Sequence, residues 1–88
     1  MPAILREDGY VVRIYGPPRD HPPPHVHVER GREATVVIRL GIARGGLSVR
    51  TVHHMHDHDV VRALRITERH QDELLQVWGT MHGDAGTD

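Results

Sequence analysis

The stretch Asp20-His21-Pro22-Pro23-Pro24-His25-Val26-His27-Val28 sets three imidazoles and one carboxylate around a run of prolines. Imidazole nitrogens bind divalent metals and move protons near neutral pH. His25 and His27 stand two apart, the spacing that puts both side chains on one face of a strand. Glu29 continues that face, and His21 lies across the prolines. With Glu29 or His21 as third donor, the pair approximates a two-histidine, one-carboxylate or a three-histidine site for zinc, nickel or manganese. An open position on such an ion would hold a water acidic enough to attack near neutral pH. The plainer alternative is a half-buried sheet face whose imidazoles bond backbone carbonyls.

A second cluster, His53-His54-Met55-His56-Asp57-His58, falls further along. His54 and His58 are four apart, so a helix beginning there would place them on one face as a further metal pair. As a connector the same residues are solvated and pH-sensitive. The two clusters join only if this segment folds back over the sheet. Phosphodiester cleavage is another chemistry available to histidine: His25 and His27 would act as acid and base, with Arg30 and Arg32 on the phosphate. Nucleophilic triads find no support, because cysteine is absent and Ser48 lacks a Gly-x-Ser-x-Gly turn. No glycine-rich phosphate loop is present either.

The elements that position these groups follow from pattern. Asp8-Gly9 between two β-branched runs marks a hairpin joining Ala3–Glu7 to Tyr10–Tyr15. On the second run, Tyr10, Val12 and Ile14 form the more apolar face. Pro17-Pro18 ends it, and the three further prolines hold an extended corner. A strand His25–Glu29 then returns through Gly31 as Glu33–Leu40, with Val26 and Val28 toward the core. Leu47–Val52 adds a short strand. From Asp57 the period lengthens: Val60, Leu64, Thr67, Gln71, Leu74 and Trp78 make one stripe, widened by Val61 and Leu75. Arg69 and Glu73 sit at i and i+4 on the outer side. Trp78 serves as the anchor between helix and sheet, and Gly79 and Gly83 mark the end. The expected fold is α+β: an antiparallel sheet of four or five strands, in two hairpins, against one long C-terminal helix. Residues 1–83 form one domain and residues 84–88 a flexible tail.

Composition narrows the classes. The chain has 88 residues, 38% of them hydrophobic, with no cysteine and no phenylalanine. Such a chain builds a modest core of Val, Leu, Ile, Trp and Tyr, without disulfides or cysteine-based zinc sites. No apolar run spans a membrane and no signal segment opens the sequence, so the chain reads as cytoplasmic and bacterial. All eleven basic residues are arginine. A GC-rich genome explains this together with the missing Lys, Asn and Phe. Residues 30–56 are basic, with Arg30, Arg32, Arg39, Arg44 and Arg50 against Glu33; residues 57–88 are acidic. Arg30, Arg32, Arg44 and Arg50 are therefore the candidate contacts to an acidic protein surface, RNA or DNA.

The opening residues and the motif Asp20, His21, Pro23, Pro24, His25, His27, Val28 resemble the bacterial domain of unknown function 4160 family. The resemblance extends to Leu74, Leu75 and Trp78, and so spans nearly the whole chain. The segment Val49–Asp59 is richer in histidine than the family pattern. The resemblance implies no established activity; it implies a small partner in a toxin–antitoxin or related two-gene module. The leading expectation is thus a cytosolic interaction module that binds the product of an adjacent gene through its basic middle and an exposed sheet edge. Pairing of two copies at that edge is a further arrangement. The alternative is a metal- or His-dependent hydrolase, or ribonuclease-like toxin, using His25 and His27.

Overall fold

A computed structural model describes residues 3–41 and 46–83. Five strands, β1 (Ala3–Glu7), β2 (Tyr10–Arg13), β3 (His25–Arg30), β4 (Ala34–Arg39) and β5 (Ser48–His53), form one antiparallel sheet in sequence order. Two helices follow, α1 (Asp57–Arg69) and α2 (Gln71–His82). The β1–β2 turn forms because Asp8 and Gly9 both take positive φ, 53° and 84°, as a two-residue hairpin with right-handed strand twist requires. Gly31, at φ 70°, turns β3 into β4.

Register fixes which residues share a face. Val12 pairs with Val28, and Val28 with Val36; Arg13 pairs with His27, and His27 with Val37. One face is therefore Tyr10, Val12, Val26, Val28, Val36 and Ile38, all fully buried, in one core with Ala63, Ile66, Leu74 and Trp78 of the helices. The other face carries Arg13, His25, His27, Glu29 and Thr35. A bulge where β5 meets β4 puts both Val49 and Val52 opposite core-facing residues, Ile38 and Val36. The helices leave β5 uncovered: all six of its residues are exposed, Val49 and Val52 among them.

The α+β class and the antiparallel sheet agree with the sequence reading, but the single long helix does not. It is two helices, broken at His70. His70 leaves helical geometry, at φ −113° and ψ 19°, and its N–H is shared between the carbonyls of Ile66 and Thr67. The pull comes from β1. Glu7 binds Arg69, and its other carboxylate oxygen lies 2.9 Å from His70 Nε2. Thr67 adds a hydroxyl bond back to the Ala63 carbonyl, a contact that tends to bend helices. The stripe shifts with the break: α1 buries Asp59, Ala63, Ile66 and Thr67, whereas α2 buries Gln71, Leu74 and Trp78 as the periodicity predicts. Arg69 therefore turns to Glu7, not to Glu73. Gln71 is tolerated inside because its amide donates to the Gly41 carbonyl, 3.1 Å away. Gly83, in left-handed geometry at φ 62°, closes α2. The predicted tail 84–88 lies outside the described residues.

Candidate metal centre

Strand alternation sends His25 and His27 to the face opposite Val26 and Val28. The loop between β2 and β3 supplies the third group. A turn at Gly16, whose carbonyl accepts from the N–H groups of Arg19 and Asp20, swings Asp20 back over the start of β3. Pro24 is tied to the far strand by the Leu40 N–H, 2.9 Å from its carbonyl oxygen. Asp20 and His25 are buried, at 8% and 5% exposure, and His27 is half-buried. One donor atom from each lies within 4.8 Å of the others, and this trio is the donor cluster among the described residues.

Asp20 Oδ2 lies 2.9 Å from His27 Nε2 and 3.3 Å from His25 Nε2. The first distance suits an N–H···O bond donated by His27. The second does not reduce to one so simply. His25 Nδ1 stands 2.9 Å from the Pro23 carbonyl oxygen, which can only accept, so Nδ1 carries a proton. In the neutral ring Nε2 then carries the lone pair, 3.3 Å from the Asp20 carboxylate oxygen. Two acceptors thus lie 3.3 Å apart, an arrangement that a cation between them would stabilise. Metal bonds of about 2.1 Å at tetrahedral or octahedral angles separate adjacent donors by roughly 3.0–3.4 Å, close to both spacings. A backbone carbonyl holding the far nitrogen is also how ligating histidines are commonly oriented.

The walls are aromatic. Tyr15 meets His27 edge-on at 4.9 Å, and Arg19 covers the Tyr15 ring at 3.8 Å. From α2, Trp78 lies 5.1 Å from His25, and His82 stacks on Trp78 at 3.6 Å while contacting the Tyr15 carbonyl. Trp78 is thus both core anchor and wall of the cluster.

A family model described as a domain of unknown function (DUF4160) matches residues 9–79. The chain belongs to the DUF4160 family. No curated protein and no solved structure matches it. The matched span includes the whole Asp20–His27 loop and strand and reaches past Trp78.

This DUF4160 chain gathers some of the residues marked in its sequence and separates others. His25 and His27 come together as expected. His21 is exposed and outside the donor cluster, and Glu29, though on the same face, is engaged by Arg13 Nε at 3.0 Å. Asp20 takes the place expected of either. It lay in the quoted motif, but the loop geometry that returns it has no sequence period. Arg30 is on the opposite sheet face from the histidines, beside the Tyr10 ring and 3.6 Å from Asp59. The arginines on their face are Arg13, the cross-strand neighbour of His27, and Arg39, that of His25. Arg32 is exposed in the β3–β4 turn, Arg50 is exposed on β5, and Arg44 lies outside the described residues. His54 sits before α1 and His58 in its first turn; neither reaches the donor cluster.

Two polar nodes escaped the sequence reading. One is the Glu7–Arg69–His70 anchor. The other is Asp59, near the N-terminus of α1, which accepts a 2.7 Å bond from the buried Tyr10 hydroxyl. That bond, foremost, holds the Asp59 carboxyl below its ordinary value, with His58 and Arg30 adding to it. Burial, then the bond to Asp59, pushes the Tyr10 phenol up. An acid near the helix start was legible; its partner in β2 was not.

Proposed function

We propose that Asp20, His25 and His27 form a divalent-metal centre and that the protein is a metal-dependent hydrolase. The observation that carries this reading is the Asp20–His25 contact, where Nδ1 is committed to the Pro23 carbonyl and Nε2 lies 3.3 Å from a carboxylate oxygen. Two imidazoles and one carboxylate suit zinc, nickel or manganese. Such an ion supplies a Lewis acid and a water of lowered pKa. The chain's own part is to hold and dry the donors: Pro23 orients His25, Asp20 offsets positive charge, and Tyr15 and Trp78 exclude solvent on two sides. His27, the least buried of the three, marks the side from which substrate would approach.

The test is metal content of untagged protein by mass spectrometry, wild type beside the His25→Ala/His27→Ala variant, with hydrolysis of phosphodiester and ester substrates followed in parallel. About one metal per chain, absent from the variant, supports the centre. A folded wild type without metal refutes it.

The uncovered β5 edge favours a second reading, an interaction module. Residues 34–56 contain no acid, and Arg39, Arg50 and His53 are exposed on β4 and β5. A second copy of β5 would bring like charges together, whereas an acidic extended segment of a partner protein would pair with the edge and cover Val49 and Val52. Such a segment could come from an adjacent gene's product, as in a toxin–antitoxin-like pair. Amide hydrogen exchange tests it: slowed exchange confined to β5 on adding an acidic strand peptide supports the reading. Slowing at high protein concentration without peptide assigns the edge to homodimers instead.

A further inference from the structure

Arg62, Arg65 and Arg69 follow one another along α1 at spacings of three and four, so they leave the same side of the helix. With Asp8 and Ile66 they line a cleft of 370 Å³. Asp8 belongs to the β1–β2 turn, so the cleft lies between that hairpin tip and α1. Arg69 is held by Glu7. Arg62 and Arg65 are exposed and make no ion pair among the described residues. Two uncompensated guanidinium groups, one turn apart, thus border a concave space with a carboxylate on its rim.

That arrangement selects its ligand by chemistry. Two planar forks fit a tetrahedral dianion better than a single carboxylate, because each can donate two parallel bonds to terminal oxygens. Asp8 repels a second negative group and accepts from a hydroxyl or amino donor. The volume is within the range of about 300–1,000 Å³ typical of small-molecule sites. We propose that this cleft binds a mononucleotide, with Arg62 and Arg65 on the phosphate and Asp8 accepting from the sugar or base. The assignment stands independently of the Asp20–His25–His27 cluster, since the two share no residue.

The test is a titration followed by the arginine Nε–H resonances in ¹⁵N NMR, with excess chelator so that no metal–phosphate contact contributes. The probes are adenosine monophosphate, inorganic phosphate and adenosine. Saturable shifts of Arg62 and Arg65 are expected with the two phosphates and not with adenosine. The Arg62→Gln/Arg65→Gln variant, altered only on an exposed helix face, should stay folded by circular dichroism and lose at least about tenfold in affinity. Asp8→Asn, which keeps a residue tolerant of positive φ, should weaken the nucleotide and not inorganic phosphate. Shifts that rise linearly without saturating, or equal binding by the double variant, would overturn the site. Equal effects of Asp8→Asn on both phosphates would overturn the nucleotide assignment.

Discussion

Metal addition should raise the melting temperature of the wild type and leave variants of the trio nearly unchanged. A ligand held only by the folded state stabilises it by RT ln(1 + [L]/Kd), about 2.7 kcal/mol at a hundred times Kd. A domain of this size gains roughly 4–8 °C per kcal/mol, so zinc at that excess should raise Tm by about 11–22 °C. A hundredfold loss of affinity at the same zinc concentration reduces the increment to about 0.4 kcal/mol, or roughly 2–3 °C. Asp20→Asn is the most informative perturbation, since it nearly preserves shape while replacing the carboxylate that both imidazoles face. His25→Ala will lower Tm without any metal, because it empties a buried position beside Trp78. The quantity to compare is therefore the metal-dependent increment, read by calorimetry with zinc, nickel or manganese and again with chelator. A wild-type Tm unmoved by all three ions refutes the centre. So does an increment that survives intact in both Asp20→Asn and His25→Ala.

Three further outcomes follow from the nodes around it. Tyr10→Phe should lower Tm by several degrees at neutral pH. It should also flatten the pH dependence of denaturant stability, because the lowered Asp59 pKa stabilises the fold above the ordinary carboxyl range and is lost as pH falls through its folded value. The raised Tyr10 pKa acts with the opposite sign, its stabilisation being lost as pH rises through the folded phenol value; a variant whose acid and alkaline limbs match the wild type would contradict both. Glu7→Gln should cost about 1 kcal/mol, roughly 4–8 °C in Tm, and show faster amide exchange around His70, because it weakens the anchor to Arg69 and His70. Arg50→Glu should leave Tm within about 0.5 kcal/mol of wild type and abolish the salt-dependent protection of β5 by an acidic peptide.

Much of the sheet was legible because its signals are local. Asp8-Gly9 can hardly avoid a tight turn, and the alternation of Tyr10, Val12 and Ile14 names its own buried face. The pairing of His25 with His27 on one side came from the same period of two. That period also places Arg30 on the other side, so its distance from the histidines was readable by parity. The helix break was not readable. The stripe from Val60 to Trp78 is continuous in sequence, and the residue that interrupts it, Glu7, is remote from it. Asp20 escaped for the same reason: a loop that folds back has no period, and only its hydrogen bonds to Gly16 explain where it points.

The trio is unusually local, and that bears on when it forms. Asp20 to His27 is eight consecutive residues, and the carbonyl that orients His25 lies among them. Closing so short a segment costs little chain entropy compared with docking a helix dozens of residues away. On a ribosome this segment emerges before α1 and α2 exist, needing only β2 and β4 to complete its flanks. Trp78 and His82 arrive last and seal one side. On the metal-centre reading, loading would thus belong to the nascent chain, when the rim is still open, and late-arriving α2 would act as the closing door.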